Sequence, residues 1–149
     1  MDKRGQAAME FLMTYGWAIL AAIVAIGVLA FFLANPGRFT SNSCAVAAPF
    51  TCEEFAVNDT SVIVRLRNGA ADNYNVGLVT AVSNALGKTC TTTTVLSLTA
   101  GNATTFYLSG ASCNGLSGTT FRGDITITYI RVGGVLNQTG TGTLTYRVP

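Results

Sequence analysis

Histidine is missing from this 149-residue chain, and charges and prolines are few. Each absence excludes something. Without an imidazole, the Ser–His and Cys–His arrangements of nucleophilic catalysis have no general base. With no close C-x-x-C pair either, a zinc ion would need an all-thiolate site built from widely spaced ligands. No Gly-rich phosphate loop of the P-loop type occurs. The adjacent carboxylates Glu53 and Glu54 invite a catalytic assignment, but neighbours in a strand point to opposite faces, so the pair reads as a solvated strand start. Asp59, Asp72 and Asp124 fall at turns or strand starts. The expectation is therefore no enzyme, no cofactor and no metal. Charged residues make up 11% of the chain, against about 25% in typical soluble domains. The formal charge is only +2 and the arginines beyond the start are scattered, so nucleic acid, which favours a basic patch or stripe, is not an expected partner.

What is present is concentrated at the start. Lys3, Arg4, Gly5, Gln6 and Glu10 precede an apolar run from Phe11 to Ala34, with no further charge until Arg38. The run matches the ~20 residues needed to cross a bilayer core. It is too long for an ordinary secretory signal, and the nearest A-x-A triplet, Ala45 to Ala47, lies beyond Pro36. Only Gly16 and Gly27 oppose helix between Gln6 and Asn35, and Pro36-Gly37 supplies the stop, giving a helix of roughly 45 Å at about 1.5 Å per residue. Ala18, Ala22 and Ala25, with Ala21 beside them, form a small-residue face that permits close helix approach. Glu10 either marks the membrane interface and favours the helix N-terminus or is drawn into the membrane, where it needs a partner. The basic pair before the span places the N-terminus in the cytoplasm and the remainder outside.

That remainder, about 110 residues, suffices for one small core. It carries Cys44, Cys52, Cys90 and Cys113, which in an oxidising compartment form disulfides. Three connectivities are open; pairing Cys44 with Cys52 and Cys90 with Cys113 closes the shortest loops. Sequons at Asn58, Asn102 and Asn137 fall in the same region and are either glycosylated or simply turn residues of a Thr-rich chain. Period-2 alternation marks Ser61 to Asn68, with Val62, Val64 and Leu66 on one face, and Asp124 to Val132, with Ile125, Ile127 and Tyr129 together. Further strands are expected at Tyr74 to Ser83, Thr89 to Leu98, Ala103 to Leu108 and Thr143 to Val148, the last returning through a Gly133-Gly134 hairpin. Six to eight short strands indicate an antiparallel β-sandwich, immunoglobulin-like, so the fold class is α+β. The expected divisions are a leader at 1–5, a helix at 6–35, a linker at 36–54 and a head at 55–149.

Lys3-Arg4-Gly5-Gln6, with Glu10 four residues on and a long apolar helix after it, resembles the class III signal peptide of archaeal type IV pilins and pilin-like proteins. The stretch from Gly5 to Trp17 resembles one branch of them. The resemblance implies that a prepilin peptidase recognises the leader through Lys3 and Arg4 and cleaves between Gly5 and Gln6, leaving the helix on the mature chain. It also implies that Glu10 neutralises the Gln6 amine of a neighbouring subunit, setting register in a homo-oligomeric helical filament at the cell surface. Ala8 and Thr14 stand where the family pattern favours Ser and Leu, which leaves long-filament and minor-subunit roles both open. The segments Gly123 to Tyr129 and Leu98 to Asn102 are similar to the Ig-like domains found behind such helices. A monomeric, membrane-anchored extracellular binding domain and an archaellin-like subunit are the alternatives. The ligand such a surface would meet is not specified by the sequence.

Overall fold

The computed structural model describes residues 3–34 and 41–149. The first unit is a single helix, α1 (Lys3–Ala34), in which no residue is buried. It begins three residues before the expected Gln6, because Lys3 and Arg4 are good helix formers and nothing before Gly5 breaks the ladder. The expected stop at Pro36-Gly37 lies outside the described residues.

The second unit, Ser41–Pro149, is a compact head of nine strands. They are β1 (Ser43–Val46), β2 (Phe50–Val57), β3 (Val62–Asn68), β4 (Tyr74–Ser83), β5 (Lys88–Thr92), β6 (Leu96–Leu98), β7 (Ala103–Leu108), β8 (Thr120–Arg131) and β9 (Asn137–Arg147). All pairings between them are antiparallel. The larger sheet runs β1-β9-β8-β4-β5, with β6 also on β4, and the smaller runs β2-β3-β7. The two share one core. Val62, Val64 and Leu66 of β3 face Ile125, Ile127 and Tyr129 of β8, Val76, Val79 and Ala81 of β4, and Phe106 and Leu108 of β7 within a single buried cluster. The alternation expected for β3 and β8 is therefore present, and the polar partners Arg65 and Arg67 are exposed.

Three expectations are corrected. The stretch 36–54 is not simply a linker: β1 and the first half of β2 are sheet strands, and the Cys44–Cys52 disulfide, Cα–Cα 6.0 Å, joins them. The strand Thr89 to Leu98 is two strands. β5 pairs with Val79–Ser83 and β6 with Tyr74–Val76, on either side of a bulge in β4 between Val76 and Leu78, so the edge strand breaks at the level where its partner bulges. The final strand starts at Asn137 rather than Thr143. Its Thr-Gly repeat resembles loop in composition, yet a Cβ on Gly142 would collide with the Ala45 carbonyl of β1. Close approach of a neighbouring strand, not turning, explains Gly142.

Both sides of the assembly of sheets are closed. The Cys44–Cys52 disulfide holds β1 to β2 at one side. At the other, Thr91 and Ser109 exchange two backbone hydrogen bonds of 3.0 Å, and the Cys90–Cys113 disulfide, Cα–Cα 4.9 Å, lies beside them. Asn68 ties loops together inside. Its Nδ2 donates to the carbonyls of Asp72 (2.7 Å) and Leu98 (3.2 Å), and its Oδ1 accepts from the Ala70 amide (3.0 Å), all with the residue fully buried. Phe50, Tyr74 and Tyr129 form a ring cluster with edge-to-face centroid distances of 5.7, 4.9 and 5.3 Å.

Candidate assembly site and the surfaces of the head

Gly5 and Gln6, the residues on either side of the expected cleavage point, lie inside α1 in its first turns and are exposed. Lys3 and Arg4 open the helix, where the macrodipole disfavours positive charge, and its first turn holds no acidic residue. Glu10 follows Gln6 at i+4, the spacing that places two side chains on one face. Among the described residues no cation pairs with the Glu10 carboxylate. Its backbone carbonyl does have a further partner: the Thr14 hydroxyl donates to it at 2.9 Å. That bond explains how Thr14 is tolerated in an apolar helix, since a hydroxyl bonded to the i−4 carbonyl brings no unsatisfied polar group into lipid.

The helix is long and apolar enough to cross a membrane. It also carries a pattern that an Ala-based inspection misses. Gly5, Gly16 and Gly27 recur every eleven residues, and at about 100° per residue each step returns to within ~20° of the last. Ala18, Ala22 and Ala25 then fall roughly opposite this glycine face. A Cβ built on any of the three glycines meets nothing within 4 Å. The helix therefore offers two small-residue faces, both open.

On the head, all four cysteines are in disulfides, paired as the shortest loops require. Cys90 and Cys113 are fully buried, whereas Cys44 and Cys52 are half-buried. Persistent disulfides and an apolar N-terminal helix together fit a membrane-tethered or secreted domain in an oxidising compartment. The sequon asparagines are all exposed but in different settings. Asn58 lies in the β2–β3 turn, Asn102 directs its Nδ2 to the Thr99 hydroxyl at 2.6 Å, and Asn137 is the first residue of β9, paired with Ile130. No group of residues able to hold a metal occurs among the described residues.

Glu53 and Glu54 do not point to opposite faces. A bulge between Cys52 and Glu54 sets Cys52 opposite Leu66 and Glu54 opposite Arg65, leaving Glu53 as the extra residue. Both carboxylates consequently lie on the arginine side. Glu53 pairs with Arg67 and lies 3.5 Å from Arg65, which reaches Glu54 at 4.0 Å; Arg67 also donates to the Gly101 carbonyl. Two acids matched by two bases, all partly exposed, make a solvated ion-pair cluster on the outer face of the smaller sheet. Each carboxylate faces a guanidinium and not a second acid. Arg131 and Asp72 form a separate pair at 2.7 Å.

Burial raises the Tyr129 phenol above its ordinary value, and neighbouring Tyr74 adds to the shift. This is the behaviour of a core tyrosine and not of a general acid working near neutrality. Comparison with models of known protein families and with curated proteins finds no match.

Proposed function

We propose that the chain is a structural subunit of an archaeal type IV-like surface filament, an adhesion-type pilus. In this reading α1 anchors the chain in the cytoplasmic membrane with its N-terminus inside. A prepilin-type peptidase cleaves between Gly5 and Gln6, and the mature helices leave lipid to pack against one another as the filament core. The disulfide-closed head, immunoglobulin-like in architecture, forms the surface.

Glu10 carries the reading. It is the only acid in a helix that is otherwise apolar beyond its basic start, it lies one turn from Gln6, and it has no cationic partner among the described residues. A desolvated, unpaired carboxylate costs several kcal/mol or protonates. A new amine on Gln6 of a neighbouring copy removes that cost and fixes axial register. The hydrophobic term itself nearly cancels when a helix exchanges lipid for other apolar helices, so close packing and this ion pair must drive assembly. The two small-residue faces let one helix approach neighbours on both sides.

Cleavage of this kind requires the helix to open locally, because Gly5 and Gln6 lie within it; Gly5, the poorest helix former of the first turn, is where opening costs least. The reading is tested by N-terminal sequencing of the membrane-extracted and sheared surface fractions, with electron microscopy of the latter. A mature chain starting at Gln6 and visible filaments are expected; a chain retaining Met1 or Asp2 and no filaments would make α1 a simple tether. Glu10→Ala is expected to be processed normally yet to yield few or misregistered filaments. Normal filaments from that variant would remove Glu10 from the mechanism.

A further inference from the structure

Charge is segregated on the head. The outer face of the smaller sheet holds the Glu53, Glu54, Arg65 and Arg67 cluster. The outer face of the larger sheet holds an unbroken row of threonine across four strands. Thr91 of β5 pairs with Thr80 of β4, Thr80 with Thr126 of β8, and Thr126 with Thr141 of β9; Thr128 and Thr139 pair in the next row. These side chains point outward, because the alternating positions Ile125, Ile127, Gly140 and Leu144 are buried. Leu78 and Val82 continue the same face, and its charged residues on these strands, Arg122, Asp124 and Arg147, stand at one end.

We propose that this threonine face is where the head of a second copy of the chain packs in the filament; the proposal rests on the filament reading above. Four arguments select that occupant. The core of a protein interface is depleted of charge, and the centre of this face holds none. Threonine is stiff at χ1, so burying a row of them loses little rotamer freedom, while each presents a methyl and a hydroxyl to the partner. Joining edge to edge is restrained at both sides, because β1 is tied to β2 by the disulfide and β5 to β7 by the Thr91–Ser109 bridge. Finally, four strands at about 4.8 Å spacing and seven residues at about 3.3 Å rise give a patch of roughly 450 Å². That is near half of the ~800 Å² per partner of a standard interface. A patch of that size does not hold two free heads together, but it suffices when the helices already hold the copies at high effective concentration.

The test places one charge on the face at a time. Thr141→Lys and Thr126→Glu, on different strands and of opposite sign, are compared with Tyr107→Lys, which adds a charge to the outer face of the smaller sheet at an exposed position. Each full-length variant is first scored for a chain starting at Gln6 and for the absence of free thiols, which reports both disulfides closed. Filament yield is then measured. The two threonine variants should lose about tenfold or more in yield, since burying an unmatched charge costs several kcal/mol, while Tyr107→Lys should stay near wild type. Folded, processed threonine variants that assemble like wild type would overturn the proposal and free the face for another occupant. Equal loss from Tyr107→Lys would overturn it too, since the effect would then not belong to this face. A wild-type chain that forms no filaments is a different failure, because it removes the filament reading on which the face depends.

Discussion

Replacing Asn68 tests the account of the head most directly, because one fully buried side chain serves three backbone groups. Asn68→Ala strands the carbonyls of Leu98 and Asp72 and the amide of Ala70. Leu98 is completely buried, so its carbonyl carries the full penalty, about 1–3 kcal/mol, while the other two groups lie where water reaches them in part. The sum is about 3 kcal/mol. For a head of this size that corresponds to a drop in Tm of roughly 12 °C. The assay is thermal and urea unfolding of the detergent-solubilised chain, followed by near-ultraviolet circular dichroism. The head has no tryptophan, so its aromatic signal comes from tyrosine and phenylalanine, the Phe50, Tyr74 and Tyr129 cluster included. Asn68→Asp sharpens the test. The shape is kept and the carboxyl still accepts from Ala70, but an ionised oxygen would replace the donor that faces two carbonyls. Burial and those carbonyls raise the carboxyl above its unfolded value of about 3.9. With the folded pKa above the unfolded one, the stabilising contribution is complete below about pH 3.9 and is lost as pH rises through the folded value. The variant should therefore weaken, relative to wild type, between pH 4 and neutrality. A cost below about 1 kcal/mol for Asn68→Ala, or a pH-indifferent Asn68→Asp, would refute the reasoning.

Loop closure ranks the disulfides: with sequence separations of 23 and 8, removal of Cys90–Cys113 should cost about 3.5 kcal/mol and removal of Cys44–Cys52 about 2.6, read from denaturation of the paired Cys→Ala variants. Gly142→Ala drives a Cβ against the Ala45 carbonyl, so β1 should shift off β9 at a cost of about 1–3 kcal/mol, visible as faster amide exchange at Ala45 and Ala47 with the core unchanged. Tyr129 is neutral in the fold beyond its ordinary ionisation range. Its contribution is complete below about pH 10 and is lost as pH rises through the folded value, so ultraviolet titration should show one phenol ionising late and unfolding as it does.

The parts of this molecule that were legible in the sequence depend on local pattern. β3, β4 and β7 were readable because alternation and flanking turns mark them without reference to any partner, and β4 spans the expected Tyr74–Ser83. The disulfides were reachable because shortest loops happened to be the real ones. What escaped was set by neighbours. The bulges at Glu53 and Gly77 show only in the register with an adjacent strand, and the first of them turned a pair expected on opposite faces into one cluster. Gly142 carries no composition signal for strand, because the reason for it is a carbonyl distant in sequence. Asn68 was legible as the end of the alternating Ser61 to Asn68 stretch, and it does end β3, but its burial follows from Asp72 and Leu98 closing over it. At the candidate site the order Gly5, Gln6, Glu10 is itself a linear motif. The structure adds that the helix runs through the proposed cleavage point and that Thr14 is bonded to the Glu10 carbonyl.

In the proposed filament role the chain lives in two surroundings, which constrains how its parts are stabilised. A head anchored at a membrane cannot rely on a helix that later moves into a bundle, and here α1 and the head form separate compact units, with no α1 residue buried. The head's stability is consequently internal: one shared core, two disulfides and a buried asparagine. The same circumstance makes open strands dangerous, since anchored copies are concentrated in two dimensions and an unpaired edge would recruit its neighbours indiscriminately. Both sides of the sheets are closed by a covalent or hydrogen-bonded link. The proposed association then falls to surfaces that discriminate: the helix, through Glu10 and its small-residue faces, and the threonine face of the larger sheet. Separation of these roles makes a specific claim. Opening an edge by removing Cys44–Cys52 should increase non-specific aggregation without improving ordered assembly, whereas charging the threonine face should reduce ordered assembly without causing aggregation.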